Sequence, residues 1–90
     1  MMFMNRSDID DAVTRARHPV TQRAARLLAA WRDVVDANSD GWAHWPGGPR
    51  AARQLMEFVQ RGDTNERALA KAMGPIHRLC TKHSLTRPEA

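Results

Sequence analysis

Four cations late in the chain, Arg67, Lys71, Arg78 and Lys82, stand at i, i+4, i+11 and i+15. At about 100° per residue, this spacing gathers them within about 60° of one another on a helix. No acid falls between Arg67 and Lys82. Such a ridge can lie along phosphates or meet an acidic protein surface; the same pattern also describes an ordinary solvated helix face. Arg50 and Arg53 add two bases upstream, and the six together are the candidate contacts to a partner or to phosphate. Arginine makes bidentate and stacked contacts that lysine does not, which suits carboxylate and phosphate counterparts.

A second group lies in a glycine- and proline-rich stretch, where Trp42, His44 and Trp45 precede Pro46-Gly47-Gly48-Pro49. Exposed tryptophans concentrate at binding hot spots, so these three residues are the candidate loop anchor. The competing role is structural, with at least one ring covering a thin core. His77, Cys80 and His83 carry metal-binding atoms, but steps of three residues drift about 60° each around a helix and converge poorly. A structural zinc site would need a fourth ligand, for which only His44 offers itself, so no metal and no cofactor are expected. The motifs of serine hydrolases, phosphate-binding glycine loops and zinc proteases are missing, and no catalytic residue is assigned. A small nuclease using His44 or His77 beside arginines is the residual enzymatic alternative.

Leu69 to Gly74 resembles the end of the first helix and the turn glycine of a helix-turn-helix, over about nine residues. Beyond that the likeness fails. Pro75, Cys80 and His83 occupy positions where that motif takes aliphatic side chains, and no cap opens a second helix.

The elements that must position these residues are helical throughout. Asn5 is a good N-cap with Asp8 three residues on, and Met4 and Ile9 take hydrophobic-staple positions. Ile9, Ala12, Val13 and Ala16 give a first helix from Arg6 to Arg17, closed by His18-Pro19. Val20, Ala24, Leu27, Leu28, Trp31, Val34 and Val35 predict a second from Val20 to Ala37, with Trp31 as core anchor. It should stop at the turn cluster Asn38-Ser39-Asp40-Gly41. Pro49 opens a third helix with Gly48 as cap; Ala52, Leu55, Met56 and Val59 line its core face, Phe58 stands at the edge, and Gly62 ends it. Asp63 and Glu66 read as a capping box for a fourth. Leu69, Ala72, Met73, Ile76, Leu79 and Cys80 carry one stripe through Gly74-Pro75, where the helix either kinks or splits.

The expectation is a single all-α domain over residues 1–90, a bundle of about four helices with flexible ends at 1–5 and 86–90. At 90 residues and 42% hydrophobic content, one modest core must suffice. The longest apolar run, Leu27 to Trp31, is far short of the roughly 18 residues of a membrane span. Met1 to Met4 is too short for a secretory leader. A single cysteine excludes an internal disulfide and makes a reducing, cytoplasmic setting the expectation. Bases outnumber acids 14 to 10, and the surplus lies in the second half. Twelve of the bases are arginine beside 14 alanines, a combination that GC-rich coding alone can produce.

Two function classes follow. The first is a non-catalytic protein-binding regulator or inhibitor docking on a larger, partly acidic assembly through the ridge and the Trp-containing loop. It is narrowly favoured, because compact one-domain chains without site motifs often serve something larger. The second is a nucleic-acid-binding regulator using the same ridge on phosphates. No membrane partner is expected, and exposed tryptophans leave a symmetric homodimer open.

Overall fold

The apolar stripes become four helices in a computed structural model, which describes residues 6–38 and 48–89. These are α1 (Arg6–Arg15), α2 (Pro19–Asn38), α3 (Gly48–Gln60) and α4 (Glu66–His83). Among the described residues there is no strand, so the fold is all-α. The expected cap at Asn5, the staple residue Met4 and the Trp42-His44-Trp45 group lie outside the described residues. Each helix packs on its neighbour in sequence, with a lighter contact between α2 and α4.

α3 sits between α2 and α4 and must therefore bury a wider arc than a helix with one neighbour. Its buried residues are Ala51, Ala52, Leu55, Met56, Phe58 and Val59. Phe58, expected at the edge of the stripe, is fully buried for this reason. Trp31 of α2 is fully buried as anticipated, joined by Ala24, Ala25, Leu28 and Val35. α4 contributes Leu69, Ala72, Met73, Ile76 and Cys80. α1 contributes only Ile9 in full, with Ala12 and Val13 half-buried against the core.

The connections are set by capping chemistry. α1 ends at Arg15, two residues earlier than its stripe implies, because His18 caps α2: its Nδ1 accepts the Val20 N–H at 3.1 Å. Pro19 follows at the first helical position, where a missing N–H costs nothing. Gly62 ends α3 in the left-handed region (φ 68°). Its N–H bonds to the Val59 carbonyl and that of Asp63 to the Phe58 carbonyl, a Schellman pair.

Asp63 does not cap α4. It is the last residue of that Schellman turn, and its carbonyl accepts the buried Thr21 hydroxyl at 2.7 Å. The helix therefore starts two residues later, on Asn65, whose side chain accepts the Ala68 N–H at 3.0 Å. Asp63 instead accepts the Asn65 N–H through Oδ1, a contact that holds its carboxyl below the usual range. Glu66, freed from any capping box, pairs with Arg23 and ties the start of α4 to α2.

α4 runs unbroken from Glu66 to His83 with Pro75 inside it. Proline removes the bond to the Lys71 carbonyl and crowds it. The residue before a proline normally resists helical geometry because its Cβ meets the ring; at that position stands Gly74, which has no Cβ. Burial of Ala72, Met73 and Ile76 on both sides then keeps the two halves packed on one core as a single helix. Pro75→Ala should therefore raise stability by about 1–2 kcal/mol. That is the roughly 3 kcal/mol helix penalty of proline, less the loss of its rigidity in the unfolded chain and of the half-buried ring. Urea unfolding followed by circular dichroism would read it as a higher midpoint; an unchanged midpoint would mean that the ring's packing offsets the whole penalty.

Candidate functional site

The unbroken α4 decides how the four cations stand. Arg67, Lys71, Arg78 and Lys82 are all exposed, on the side away from buried Leu69, Ala72, Ile76 and Cys80. Because the helix is continuous, the spacing read from the sequence carries through Pro75, and the four share one face. Among the described residues, none of the four pairs with an acid. Glu66, the nearest along the chain, is engaged by Arg23, while Glu57 pairs with Arg53 and Asp63 with Arg61. Arg50 and Arg53 are both exposed on α3, and Arg53 is committed to Glu57 at 3.7 Å. The α4 face thus holds uncompensated positive charge, which the α3 pair shares only in part.

Arg78 folds back along its own helix toward Gly74, where a Cβ would lie 3.4 Å from a guanidinium nitrogen. Helical side chains lean toward the N-terminus, and the empty position lets this one lie on the backbone. The middle of the face is accordingly low in relief, with Gly74 and the half-buried Pro75 between two pairs of cations.

A further cation comes from the tail to the flank of α4 that carries His77 and Cys80. Ser84 ends α4 in the left-handed region, and the N–H groups of Ser84 and Leu85 both bond to the Cys80 carbonyl. Beyond it Leu85 packs against the core and Pro88 is buried. The stretch without a periodic pattern, expected as a flexible end, is therefore in contact with the bundle. Arg87 comes close enough to His77 and Cys80 to act on both electrostatically. Burial, aided by the Arg87 charge, lowers the His77 pKa below its ordinary value, so this imidazole is neutral at pH 7. Sequence periodicity does not find Arg87, because the tail has no helical period; the available signal is the pair of apolar residues, Leu85 and Pro88, around it.

The alternative chemistries fare differently. Burial pushes the Cys80 thiol up, the opposite of nucleophile activation. His83, expected on the apolar side, is exposed, because α4 reaches its last turn there. No group of three His, Cys, Asp or Glu side chains among the described residues is arranged to hold a metal ion. An open depression of about 520 Å³ between α1 and α2 has Val13, Ala29 and Ala30 in its floor. Two of its three charged lining residues, Asp10 and Asp33 beside Arg26, have the wrong sign for a phosphate. The partial likeness to a helix-turn-helix ends here as well: residues 69–74 lie within one helix, with no turn at Gly74. No helix among the described residues is long and apolar enough to cross a membrane.

The chain matches no family model, and no curated protein or solved structure is significantly similar to it.

Proposed function

We propose that the chain is a non-catalytic nucleic-acid-binding protein that contacts phosphates through the exposed face of α4. The observation that carries this reading is the identity of the ridge residues. The chain has two lysines in all, and both, Lys71 and Lys82, stand on the ridge. A coding bias toward arginine explains the other bases but not lysine at these two positions. Lysine is depleted in protein–protein interfaces, where its long hydrated side chain is costly to bury, yet it serves well as a point charge on phosphate. The described part of the ridge also carries no large apolar residue, whereas a protein interface needs a desolvated anchor at its centre.

A regulator or inhibitor docked on an acidic protein surface is the second reading. It draws on Arg67 and Arg78, whose guanidinium forks fit carboxylates as well as phosphates. On that reading the apolar anchor is the Trp42-His44-Trp45 group.

Fluorescence anisotropy with a labelled DNA duplex, titrated from low to physiological salt, separates the two. Four neutralised phosphates predict a log–log salt slope of about −3.6. Arg78→Ala and Lys82→Ala should each weaken binding whatever the base sequence and flatten the slope by about 1. Unchanged binding in both variants would remove the ridge from the contact.

A further inference from the structure

We infer that the ligand of α4 is double-stranded DNA, and that the helix lies across its major groove with one pair of cations on each phosphate rim. The inference rests on the phosphate reading above and adds the form of nucleic acid and the mode of contact.

The spacing of the four cations along the helix matches that groove. With a rise of about 1.5 Å per residue, the members of each pair, Arg67–Lys71 and Arg78–Lys82, stand about 6 Å apart along the axis. The inner members, Lys71 and Arg78, are about 10 Å apart, and the outer members about 22 Å. These are separations of backbone positions; helical side chains lean toward the N-terminus, as Arg78 does in folding back toward Gly74. A major groove is about 12 Å wide, which falls between the inner and outer separations and seats one pair on each side. A minor groove, at about 6 Å, is narrower than the inner separation, so both of its rims fall inside the pairs.

The low middle of the ridge fits the same placement. Gly74 has no side chain, and Pro75 has neither an N–H nor a polar atom in its ring, so neither residue offers a base a group of its own, and the Arg78 guanidinium folds back over them toward Gly74. Contact then falls chiefly on phosphates, which carry no sequence information. A single strand would be served differently: phosphates following one another along a strand favour an evenly spaced row, and this ridge has a step of seven residues between Lys71 and Arg78 against steps of four on either side.

The test compares variants that remove equal charge from different places, using the full chain, a labelled 20-base-pair duplex and its separate strand. The unaltered protein should bind the duplex about tenfold more tightly than the strand at low salt, since only the duplex offers two rims. The double variant Arg67→Ala/Lys71→Ala strips one rim and should bring that ratio close to 1. Lys71→Ala/Arg78→Ala leaves one cation on each rim and should keep a ratio above about 3 on the same charge-counting basis. Methyl green, which occupies the major groove, should displace the protein, and the minor-groove ligand distamycin should not. Equal affinity for duplex and strand, equal ratios in the two double variants, or displacement by distamycin would each overturn the straddling mode while leaving phosphate binding intact. Absence of binding to either nucleic acid would overturn the phosphate reading itself and pass the ridge to an acidic protein partner.

Discussion

Trp31→Ala should lower the melting temperature by about 20 °C, enough to leave much of the chain unfolded at 37 °C. Trp31 is fully buried on α2 and is among the largest fully buried side chains. Truncating a buried aromatic to alanine costs about 3–5 kcal/mol, because the neighbours cannot collapse into the space it leaves. A domain of this size has a total stability of roughly 5–10 kcal/mol, and each kcal/mol shifts its melting point by about 4–8 °C. Leu27→Ala, half-buried one turn earlier, is the internal control and should shift it by well under half as much. Circular dichroism at 222 nm measures both without interference from the other two tryptophans. A shift below about 5 °C for Trp31→Ala would place the ring outside the cooperative core.

That prediction draws on a part of the fold that is plain in the sequence. The 3.6-residue period marks a helix wherever one face is buried, and Trp31 falls inside the longest such stripe. What periodicity does not show is how many neighbours a helix has. Phe58 looks marginal because its position lies off the main stripe of α3; a helix packed on both sides buries that flank too. Start and stop positions are legible where a residue type has one use. Gly62 terminates α3 because φ of 68° is cheap only for glycine. Asp63 defeats the capping rule because aspartate has several uses. Its backbone is taken by the Schellman turn and by Thr21, contacts with residues that helix-capping rules do not consider. His18 is hidden as a cap for a related reason: imidazole nitrogen serves there only when the local turn brings it onto the Val20 N–H.

The candidate site divides along the same line. The ridge is readable because its members share one helix, so a single period relates them. Whether α4 splits at Pro75 is a question of packing, and the answer turns on buried Met73 and Ile76 and on the missing Cβ of Gly74. Arg87 reaches the flank of α4 that carries His77 and Cys80 through the turn at Ser84, and no local pattern encodes where a reversed tail will lie. The residues that a sequence reader can assemble are therefore those on one element.

Reversing both lysines, Lys71→Glu/Lys82→Glu, should abolish binding to a DNA duplex, a loss of at least about a thousandfold at low salt. Two of the four attractive contacts disappear, and two carboxylates are set against the phosphates in their place. Both positions are exposed, so the fold should be nearly unaffected. The carboxylate introduced at position 71 would gain a favourable contact with Arg67 worth about 0.3 kcal/mol. Its counterpart at position 82, in the last turn of α4, would oppose the helix dipole by about 0.3–1 kcal/mol. The melting temperature should consequently move by only a few degrees. The companion variant Lys71→Arg/Lys82→Arg keeps every charge, and on phosphates it should bind within about threefold of the original, since counterion release counts charges. Loss of binding in the arginine variant would show that lysine itself is recognised, as in a shaped protein pocket. Retention of binding in the glutamate variant would return the ridge to solvent. Because the two lysines are the bases that a bias toward arginine does not account for, their reversal also weighs composition against placement: a compositional accident predicts no loss, and a built phosphate face predicts nearly complete loss.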